Sequence, residues 1–303
     1  MSLYHKYRPK DLDQIIGNKE AVAALEGMLG SLDSCPHSFL LQGQTGCGKT
    51  TIARIIANRL GCVGHDFREV NTADLRGIDT IREIIHQAHF KSLEGPVRVW
   101  LIDECHKLTG DAQNALLKML EDPPGHVYFI LCTTEPQKLL KTIRGRCSLL
   151  SVSPLTEIQT YKLLKFVAKS EGERLQSAIY KLIYTSTQGH PRNALQILDQ
   201  VLAVSPDERL EVAKRAELLE TESIALCRAL LSKAEWKVIR EILNGLKNQE
   251  AEGIRRHVLG YAQSVLLRSD TPRAGAILEE FLEPFFNTGF PGLVYACYSL
   301  NYK

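Results

Sequence analysis

The sequence predicts an α/β fold, in which a parallel sheet with helices on both faces is followed by a small helical region and a longer all-helical region. Short apolar runs alternate with amphipathic stretches from Ser38 to Leu155, a pattern typical of a parallel sheet covered by helices. A glycine-rich loop follows the first apolar run. After Pro154 the strand-like runs stop, and helical periodicity continues to the end of the chain.

Three apolar runs are bounded by polar residues, glycine or proline, as buried central strands are. They are SFLLQ (38–42), VRVWLID (97–103) and VYFILCTT (127–134). REVN (68–71) and SLLSV (148–152) are weaker strand candidates. TIARIIANRL, which follows the glycine-rich loop, and GIDTIREIIHQAHF (77–90) have the apolar period of helices. In the second of these we expect Ile78, Ile81, Ile85 and Ala88 to face inward.

Beyond Pro154 the helix signals are local. Thr156 and Gln159 have the spacing of a capping box, and Gly172 suits the end of the helix that they begin. We expect the buried face of that helix to consist of Ile158, Tyr161, Leu164 and Ala168. Further helices are predicted at 177–185 and 191–204, and SPDE (205–208) interrupts the pattern. We therefore divide the chain into a core (1–153), a helical lid (154–205) and a helical C-terminal domain (206–303).

Composition excludes several classes of protein. The 303 residues include 37 Lys and Arg against 35 Asp and Glu, so any basic surface must arise from local arrangement rather than net charge. The eight cysteines are scattered without a C-x-x-C pair, which predicts reduced thiols in a cytoplasmic protein and no zinc site. No run of about 18 apolar residues occurs, so we expect neither a membrane span nor a signal peptide.

The glycine-rich loop GQTGCGKT (43–50) satisfies G-x-x-x-x-G-K-[ST] and lies between a predicted strand and a predicted helix, which is the context that a phosphate-binding P-loop requires. A chance glycine-rich turn is the alternative, and this context argues against it. Backbone amides of such a loop surround phosphate oxygens. We expect Lys49 to neutralise the β- and γ-phosphates and Thr50 to be a Mg²⁺ ligand. Cys47 occupies a variable position of the motif.

The strand of VWLIDECH (99–106) ends in two carboxylates. The carboxyl ends of parallel strands share one edge of the sheet, so Asp103 and Glu104 should lie beside the P-loop. We expect Asp103 to hold Mg²⁺ and Glu104 to orient and deprotonate the attacking water. These motifs predict an ATPase or a GTPase, and the absence of an N-K-x-D guanine signature favours ATP.

Several further segments occur in the order and spacing found in one family. They are YRPKDLDQIIGN (7–18), the P-loop, NTADLRGIDTIREI (71–84), DECHKLTGDAQNALLKMLEDPP (103–124), CTTEPQKLLKTIRGRC (132–147) and GHPRNAL (189–195). On these motifs the chain resembles the AAA+ ATPase subunits of sliding-clamp loaders over about its first 205 residues. The resemblance implies an AAA+ core, a helical lid and an all-α C-terminal collar that assembles a ring of subunits.

The resemblance also assigns roles to residues. It implies that Thr134 senses the γ-phosphate or positions water, and that Arg192 reaches the phosphates of its own subunit. Taken alone, each residue is better explained without a nucleotide, Thr134 as a buried strand-end hydroxyl and Arg192 as an arginine on a helix face, and only the joint spacing of the motifs reverses this. The nucleotide contacts that the P-loop motif and the resemblance give together are Tyr4, Arg8, Ile16, Gly17, Gly43, Gln44, Thr45, Gly46, Cys47, Gly48, Lys49, Thr50, Thr51, Thr134 and Arg192.

Three arginines carry the remaining expectations. A solvated basic loop would explain TIRGRC (142–147), but the resemblance implies that Arg146 reaches the nucleotide of the next subunit, although Gly145 stands where the family usually has serine. Arg82 belongs to the predicted helix of GIDTIREIIHQAHF, and Arg76 directly precedes it. A solvated face would explain both residues, whereas the resemblance implies sequence-independent contacts with DNA phosphates.

The implied function is that of an ATP-driven motor subunit whose partners are other clamp-loader subunits, the sliding clamp and primer-template DNA. Bacterial motor subunits carry a four-cysteine zinc module after the P-loop helix, and this chain has only Cys62 there. We therefore expect no zinc and a phage or otherwise divergent loader. Two alternatives remain: another AAA+ DNA-processing ATPase, such as a branch-migration or replication-repair motor, and a catalytically silent scaffold subunit of a ring.

Overall fold

The computed structural model of the chain describes residues 2–31, 34–72, 77–247, 249–267, 269, 271–285 and 287–302. The chain forms two compact units, Met1–Ser205 and Pro206–Lys303. The predicted division into three domains, with a further boundary at residue 153, stays a prediction.

The first unit is built on a sheet of five parallel strands in the order β2-β3-β4-β1-β5. The strands are β1 (Ser38–Gln42), β2 (Phe67–Asn71), β3 (Arg98–Asp103), β4 (Val127–Thr133) and β5 (Ser148–Ser151). All five predicted strands are thus confirmed, the two weaker candidates included. Their order places β1, which leads into the P-loop, between β4 and β5, and β3, which ends in the two carboxylates, on the other side of β4.

Helices cover both faces of the sheet, because successive strand side chains point to opposite sides. Phe39 and Leu41 pack with α2 (Lys19–Leu29) and α3 (Lys49–Arg59). Leu40 lies in the apolar cluster on the other face. The helices of that second face are α4 (Ile78–Ala88), α5 (Gly110–Glu121) and α6 (Lys141–Arg146). This three-layer arrangement is the predicted α/β fold.

Three mutually packed helices follow the sheet within the same unit, and the N-terminal helix α1 (Leu3–Lys6) packs against the last of them. They are α7 (Glu157–Ser170), α8 (Ser177–Thr187) and α9 (Pro191–Leu202). The predicted capping box is confirmed, since Thr156 accepts from the Gln159 amide and the Gln159 side chain accepts from the Thr156 amide. Gly172 has a φ of +80° just beyond the end of α7, as its predicted role requires.

The predicted buried faces of two helices were partly wrong. In α7 the buried residues are Thr160, Leu164, Val167 and Ala168, whereas Ile158 is 82% exposed and Tyr161 is 36% exposed. The face that packs against α8 and α9 is therefore rotated from the predicted one. In α4, Ile84 is buried with Ile81 and Ala88, while Ile78 and Ile85 are only partly buried.

The second unit contains five helices and, among its described residues, no strand. They are α10 (Arg209–Leu231), α11 (Trp236–Leu246), α12 (Ala251–Leu266), α13 (Pro272–Glu280) and α14 (Gly289–Tyr302). A buried ion pair joins Arg255 to Glu252 at 2.6 Å, and Arg255 also donates to the carbonyls of Phe281 and Leu282. No helix in the described part of the chain is both long enough and apolar enough to cross a membrane.

A buried carboxylate holds the start of β2 against the segment before β3. Asp66 is fully buried and accepts the backbone N–H groups of Leu93, Glu94 and Gly95 at 2.7 to 3.0 Å, while Arg98 lies 3.4 Å away. Burial alone would raise the pKa of this carboxyl, but the three backbone donors and Arg98 outweigh it and lower the pKa to about 2.

Asp66→Asn should lower the free energy of unfolding by about 3 kcal/mol at pH 7, because it leaves a buried arginine without its countercharge. In the wild type this contribution is fully present above the unfolded-state pKa, and it is lost as the pH falls towards 2. Urea unfolding of both proteins from pH 7 to pH 2.5 measures it. The difference in the free energy of unfolding between wild type and Asp66→Asn should narrow at low pH. Asp79→Asn is the control, because its side chain is 91% exposed, and it should change the free energy of unfolding very little.

Candidate functional site

The P-loop follows β1 at the carboxyl edge of the sheet and leads directly into α3. Gly46 and Gly48 have φ angles of +79° and +105°, which L side chains rarely adopt. A Cβ at Gly43 would lie 1.9 Å from the Val152 carbonyl oxygen, so no larger residue fits there. The glycines therefore permit the tight turn that leads into the N-terminus of α3, where free backbone amides and the peptide dipoles favour an anion.

Lys49 is the first residue of α3, and only 6% of its surface is exposed. Its ammonium donates to the carbonyls of Gly43 at 2.9 Å and Gln44 at 3.0 Å. The ammonium charge of Lys49 is thus bonded to two neutral acceptors of the loop. A phosphate oxygen is a better partner for an ammonium than a carbonyl is, because an ionised acceptor makes the stronger hydrogen bond.

Two oxygen-bearing side chains meet beside the loop. The Thr50 hydroxyl donates to Oδ2 of Asp103 at 3.0 Å, and Oδ1 of Asp103 accepts the Glu104 amide at 2.9 Å. A hydroxyl and a carboxylate at this separation are ligands of the kind that Mg²⁺ uses together with phosphate and water. The described residues contain no group of three or more His, Cys, Asp or Glu side chains that could hold a metal by themselves.

Glu104 follows the end of β3 with a φ of +53°. A left-handed backbone at a residue with a side chain costs on the order of 1–3 kcal/mol and persists where neighbouring contacts enforce it. Thr72 provides such contacts, since its hydroxyl reaches the carbonyls of Asp103 and Glu104 at 3.0 and 2.7 Å. The Thr134 hydroxyl, just beyond β4, lies 3.5 Å from Oε2 of Glu104. The structure therefore brings Thr134, Glu104, Asp103 and Thr50 together.

Helix α9 and the N-terminal segment lie beside the P-loop. Arg192, in the first turn of α9, donates to the Tyr4 hydroxyl at 3.1 Å, and its guanidinium lies 5.0 Å from the centre of the Tyr4 ring. Arg8 lies 4.9 Å from the same ring and donates to the same hydroxyl. The Arg192 amide points at the Gly46 carbonyl at 3.5 Å. These contacts place both arginines and Tyr4 beside the P-loop.

The turn that contains Ile16 and Gly17 lies beside the segment that leads into α7. Gly17 has a φ of +81°, and a Cβ there would lie 2.6 Å from a methyl group of Leu155. The neighbouring Asn18 exchanges two hydrogen bonds with the backbone of Ser153. The turn thus packs against the segment that leads into α7.

Arg146 lies away from this cluster. It is the last residue of α6, and Ser148, two residues later, pairs with Phe39 near the amino edge of the sheet. The P-loop begins beyond Gln42 at the other edge, and the strand from Phe39 to Gln42 alone spans about 10 Å. Arg146 is exposed and pairs with Glu121 at 3.0 Å. The structure therefore does not bring Arg146 to the phosphate site of its own chain.

The candidate DNA contacts are only partly described. Arg76 lies outside the described residues. Arg82 is exposed on α4 and lies 3.2 Å from Asp79 on the same helix. His86 and His89 are also exposed. A single exposed pair within one helix holds Arg82 only weakly, so its guanidinium is available to other anions.

Two features of the site were missed by sequence reasoning. His106 lies buried beside Glu104. A ring nitrogen of His190 lies 2.9 Å from the side-chain oxygen of Gln44, which joins the start of α9 to the P-loop. The sequence signal for His106 was its place in VWLIDECH, three residues after Asp103. Nothing in the sequence pairs His190 with Gln44, because 146 residues separate them.

Comparison with known proteins identifies similar chains. Residues 65–156 match the family model described as DNA polymerase III, delta subunit. The chain is 33% identical over 262 residues to the DNA polymerase III subunit gamma of Buchnera aphidicola subsp. Acyrthosiphon pisum, an alignment that covers 78% of this chain and 72% of that protein. It is also 33% identical over 249 residues to the DNA polymerase III subunit gamma/tau of Mycobacterium bovis, covering 75% of this chain and 43% of that protein.

The chain therefore spans less than half the length of the gamma/tau relative. Among solved structures, the Holliday junction branch migration motor RuvB of Thermotoga maritima superposes with a TM-score of 0.61 at 22% identity, covering 74% of this chain and 79% of that one. At that identity the likeness shows that the two chains share a fold.

Proposed function

The chain belongs to the family of DNA polymerase III gamma subunits, and from this premise we propose that it is an ATP-hydrolysing subunit of a sliding-clamp loader. The observation that carries the proposal is the grouping of Lys49, Thr50, Asp103, Glu104 and Thr134 at one edge of the sheet. In this function ATP binding arranges several subunits to open the clamp, and primer-template DNA triggers hydrolysis and release.

The proposed site binds ATP with Mg²⁺. Lys49 exchanges its two carbonyl partners for phosphate oxygens, and Thr50 with Asp103 would hold the metal, which when bound neutralises phosphate charge. Glu104 accepts a proton from the attacking water and Thr134 orients that water. Arg192 leaves the Tyr4 hydroxyl for the phosphates. We propose no structural zinc, because Cys62 is the single cysteine in the segment after α3.

We propose that Arg146 completes the site of a neighbouring subunit. Its position at the amino edge of the sheet, where it pairs with the exposed Glu121, supports action on a nucleotide bound by another chain. A guanidinium inserted in this way stabilises the charge that develops on the transferred phosphoryl group. The second, all-helical unit would assemble the ring.

Arg82→Ala should weaken DNA binding equally on all sequences, because phosphate contacts carry no base information. The slope of log affinity against log salt should become shallower by about 0.9 for each phosphate of duplex DNA that the variant no longer neutralises. Fluorescence anisotropy at several salt concentrations measures both effects. Arg240→Ala, an exposed arginine of α11, is the matched control. If Arg82→Ala kept the wild-type affinity and slope, Arg82 would be a solvated surface residue that makes no contact with DNA.

The alternative of a branch-migration motor rests on the likeness to RuvB, which extends to the fold alone. It would be preferred if the last hundred residues formed a winged helix. The described residues of that unit form helices and no β-hairpin, which favours a collar. The alternative of a silent scaffold subunit conflicts with the retention of Lys49, Thr50, Asp103, Glu104 and Arg146.

Steady-state ATP hydrolysis tests the proposal. The chain should hydrolyse ATP slowly by itself and faster when companion loader subunits, sliding clamp and primer-template DNA are all present. Native mass spectrometry of the same mixture should find this chain in a multi-subunit complex in ATP. A rate that is indifferent to clamp and to DNA would contradict the clamp-loading function, and an absence of nucleotide binding would contradict the ATPase itself.

A further inference from the structure

One buried histidine lies directly behind the proposed catalytic carboxylate. Only 5% of the His106 side chain is exposed, and its Nδ1 lies 3.1 Å from the Thr133 hydroxyl and 3.5 Å from Oε2 of Glu104. Its Nε2 lies 3.4 Å from Oε1 of Glu135. The ring is therefore packed between two carboxylates, one of which is the proposed general base.

The surroundings of the ring favour a proton on the Nδ1 side. The pKa of His106 is lowered, mainly by burial. The carboxylates of Glu104 and Glu135 oppose this shift, and the charges of Lys138 and Lys107 add to it. A neutral ring has one N–H and can donate to only one side. Glu135 is 37% exposed and is already paired with Lys138 at 2.8 Å, so its charge is satisfied without the ring. Glu104 is less exposed and has no such ion pair among the described contacts.

The position of Glu104 needs such support. Its left-handed backbone is fixed by Thr72, but that contact holds the main chain and not the carboxylate. Among the described residues, the Thr134 hydroxyl and the His106 ring reach Oε2 of Glu104, each at 3.5 Å. The Thr134 hydroxyl can rotate about its own bonds, whereas the His106 ring is buried. Its Nδ1 also lies 3.1 Å from the Thr133 hydroxyl, which already accepts the Glu135 amide at 3.0 Å. One Nδ1–H shared between Thr133 and Glu104 therefore ties the carboxylate to a fixed ring.

We propose that His106 is a positioning residue for Glu104, which holds the carboxylate beside Thr134 through Nδ1–H. The inference rests on the proposed function, because it assigns no role to His106 apart from hydrolysis. We assign the ring no contact with the nucleotide or the attacking water. Its effect is to restrict the directions that the general base can take, and misplacement of a catalytic group by about 1 Å can cost about a hundredfold in rate.

Three substitutions at one position separate this role from simple packing. The amide of asparagine can take the place of Nδ1, that of glutamine takes the place of Nε2, and alanine removes both. His106→Asn should keep kcat within about threefold of wild type. His106→Gln and His106→Ala should lower kcat by about ten- to a hundredfold, with KM and ATP affinity unchanged in all three. His37→Asn is the matched control, since Nδ1 of His37 bonds the Val127 carbonyl at the other edge of the sheet.

The inference would be overturned if all three variants had the same kcat. It would also be overturned if all three lost kcat equally and had lowered melting temperatures, because the loss would then reflect damage to the fold. If wild type does not hydrolyse ATP, or if Glu104→Gln leaves its rate unchanged, the proposed function fails instead. ¹⁵N NMR of the histidine rings decides the matter without a variant at His106. Wild type should show the Nδ1–H tautomer, and Glu104→Ala should shift the ring towards Nε2–H. A tautomer that does not respond to Glu104→Ala would contradict the contact.

Discussion

Replacing Arg146 by alanine should lower ATP hydrolysis in the assembled loader by about 10³- to 10⁵-fold, the range found for arginines that act on a phosphoryl group from outside its own pocket. ATP affinity should change little, because Arg146 lies at the amino edge of the sheet while the P-loop lies at the carboxyl edge. Loss of the exposed pair with Glu121 should cost the fold at most about 1 kcal/mol. Hydrolysis with saturating clamp and DNA, and ATP binding by titration, measure the two effects.

Two neighbouring substitutions serve as controls for Arg146→Ala. Glu121→Gln releases Arg146 from its partner within the chain and should leave hydrolysis undiminished. Arg144→Ala changes the other arginine of α6 and should have the smaller effect on rate. A large loss with Arg144→Ala and none with Arg146→Ala would show that the wrong arginine has been assigned to the neighbouring site.

Glu104→Gln should lower turnover by about 10²- to 10⁴-fold, because the attacking water loses its base while the shape of the side chain is kept. Binding of Mg²⁺ with ATP should persist, since Thr50 and Asp103 remain as the proposed metal ligands. Single-turnover hydrolysis and equilibrium nucleotide binding separate the two effects. Asp111→Asn, an exposed carboxylate at the start of α5, is the matched control.

The opposite pattern would contradict this assignment for Glu104. If Glu104→Gln weakened ATP binding in proportion to the loss of rate, the carboxylate would act through the bound nucleotide or the metal rather than on water. If turnover were unchanged, another group would be the base and His106 would have nothing to position.

The parts of the fold that could be predicted from the sequence are those determined by local pattern. β1, β3 and β4 are continuous apolar runs because the parallel sheet is buried on both faces, and each predicted run corresponds to a strand. The P-loop could be placed because its glycines serve local backbone geometry, as the φ of Gly46 and Gly48 shows. The capping box of α7 is likewise a contact between residues three apart.

The rest depended on contacts between distant segments. In α7 the face that contains Ile158 and the face that contains Val167 have the same helical period, and the packing of α8 and α9 selects the second. The contact of Arg192 with Tyr4 joins residues 188 positions apart. Burial of His106 behind Glu104 depends on Thr133 of another strand. Periodicity carries no information about such partners.

The central claim is that the catalytic site is shared between subunits, and mixing two inactive variants tests it most directly. Lys49→Ala should abolish nucleotide binding, and Arg146→Ala should bind ATP without hydrolysing it. Each should be nearly inactive alone. When the two are mixed in one assembly, the intact pocket of an Arg146→Ala subunit can lie next to the intact Arg146 of a Lys49→Ala subunit. Part of the hydrolysis should therefore return. No recovery in mixtures that native mass spectrometry shows to co-assemble would contradict a shared site and leave Arg146 a solvated surface residue.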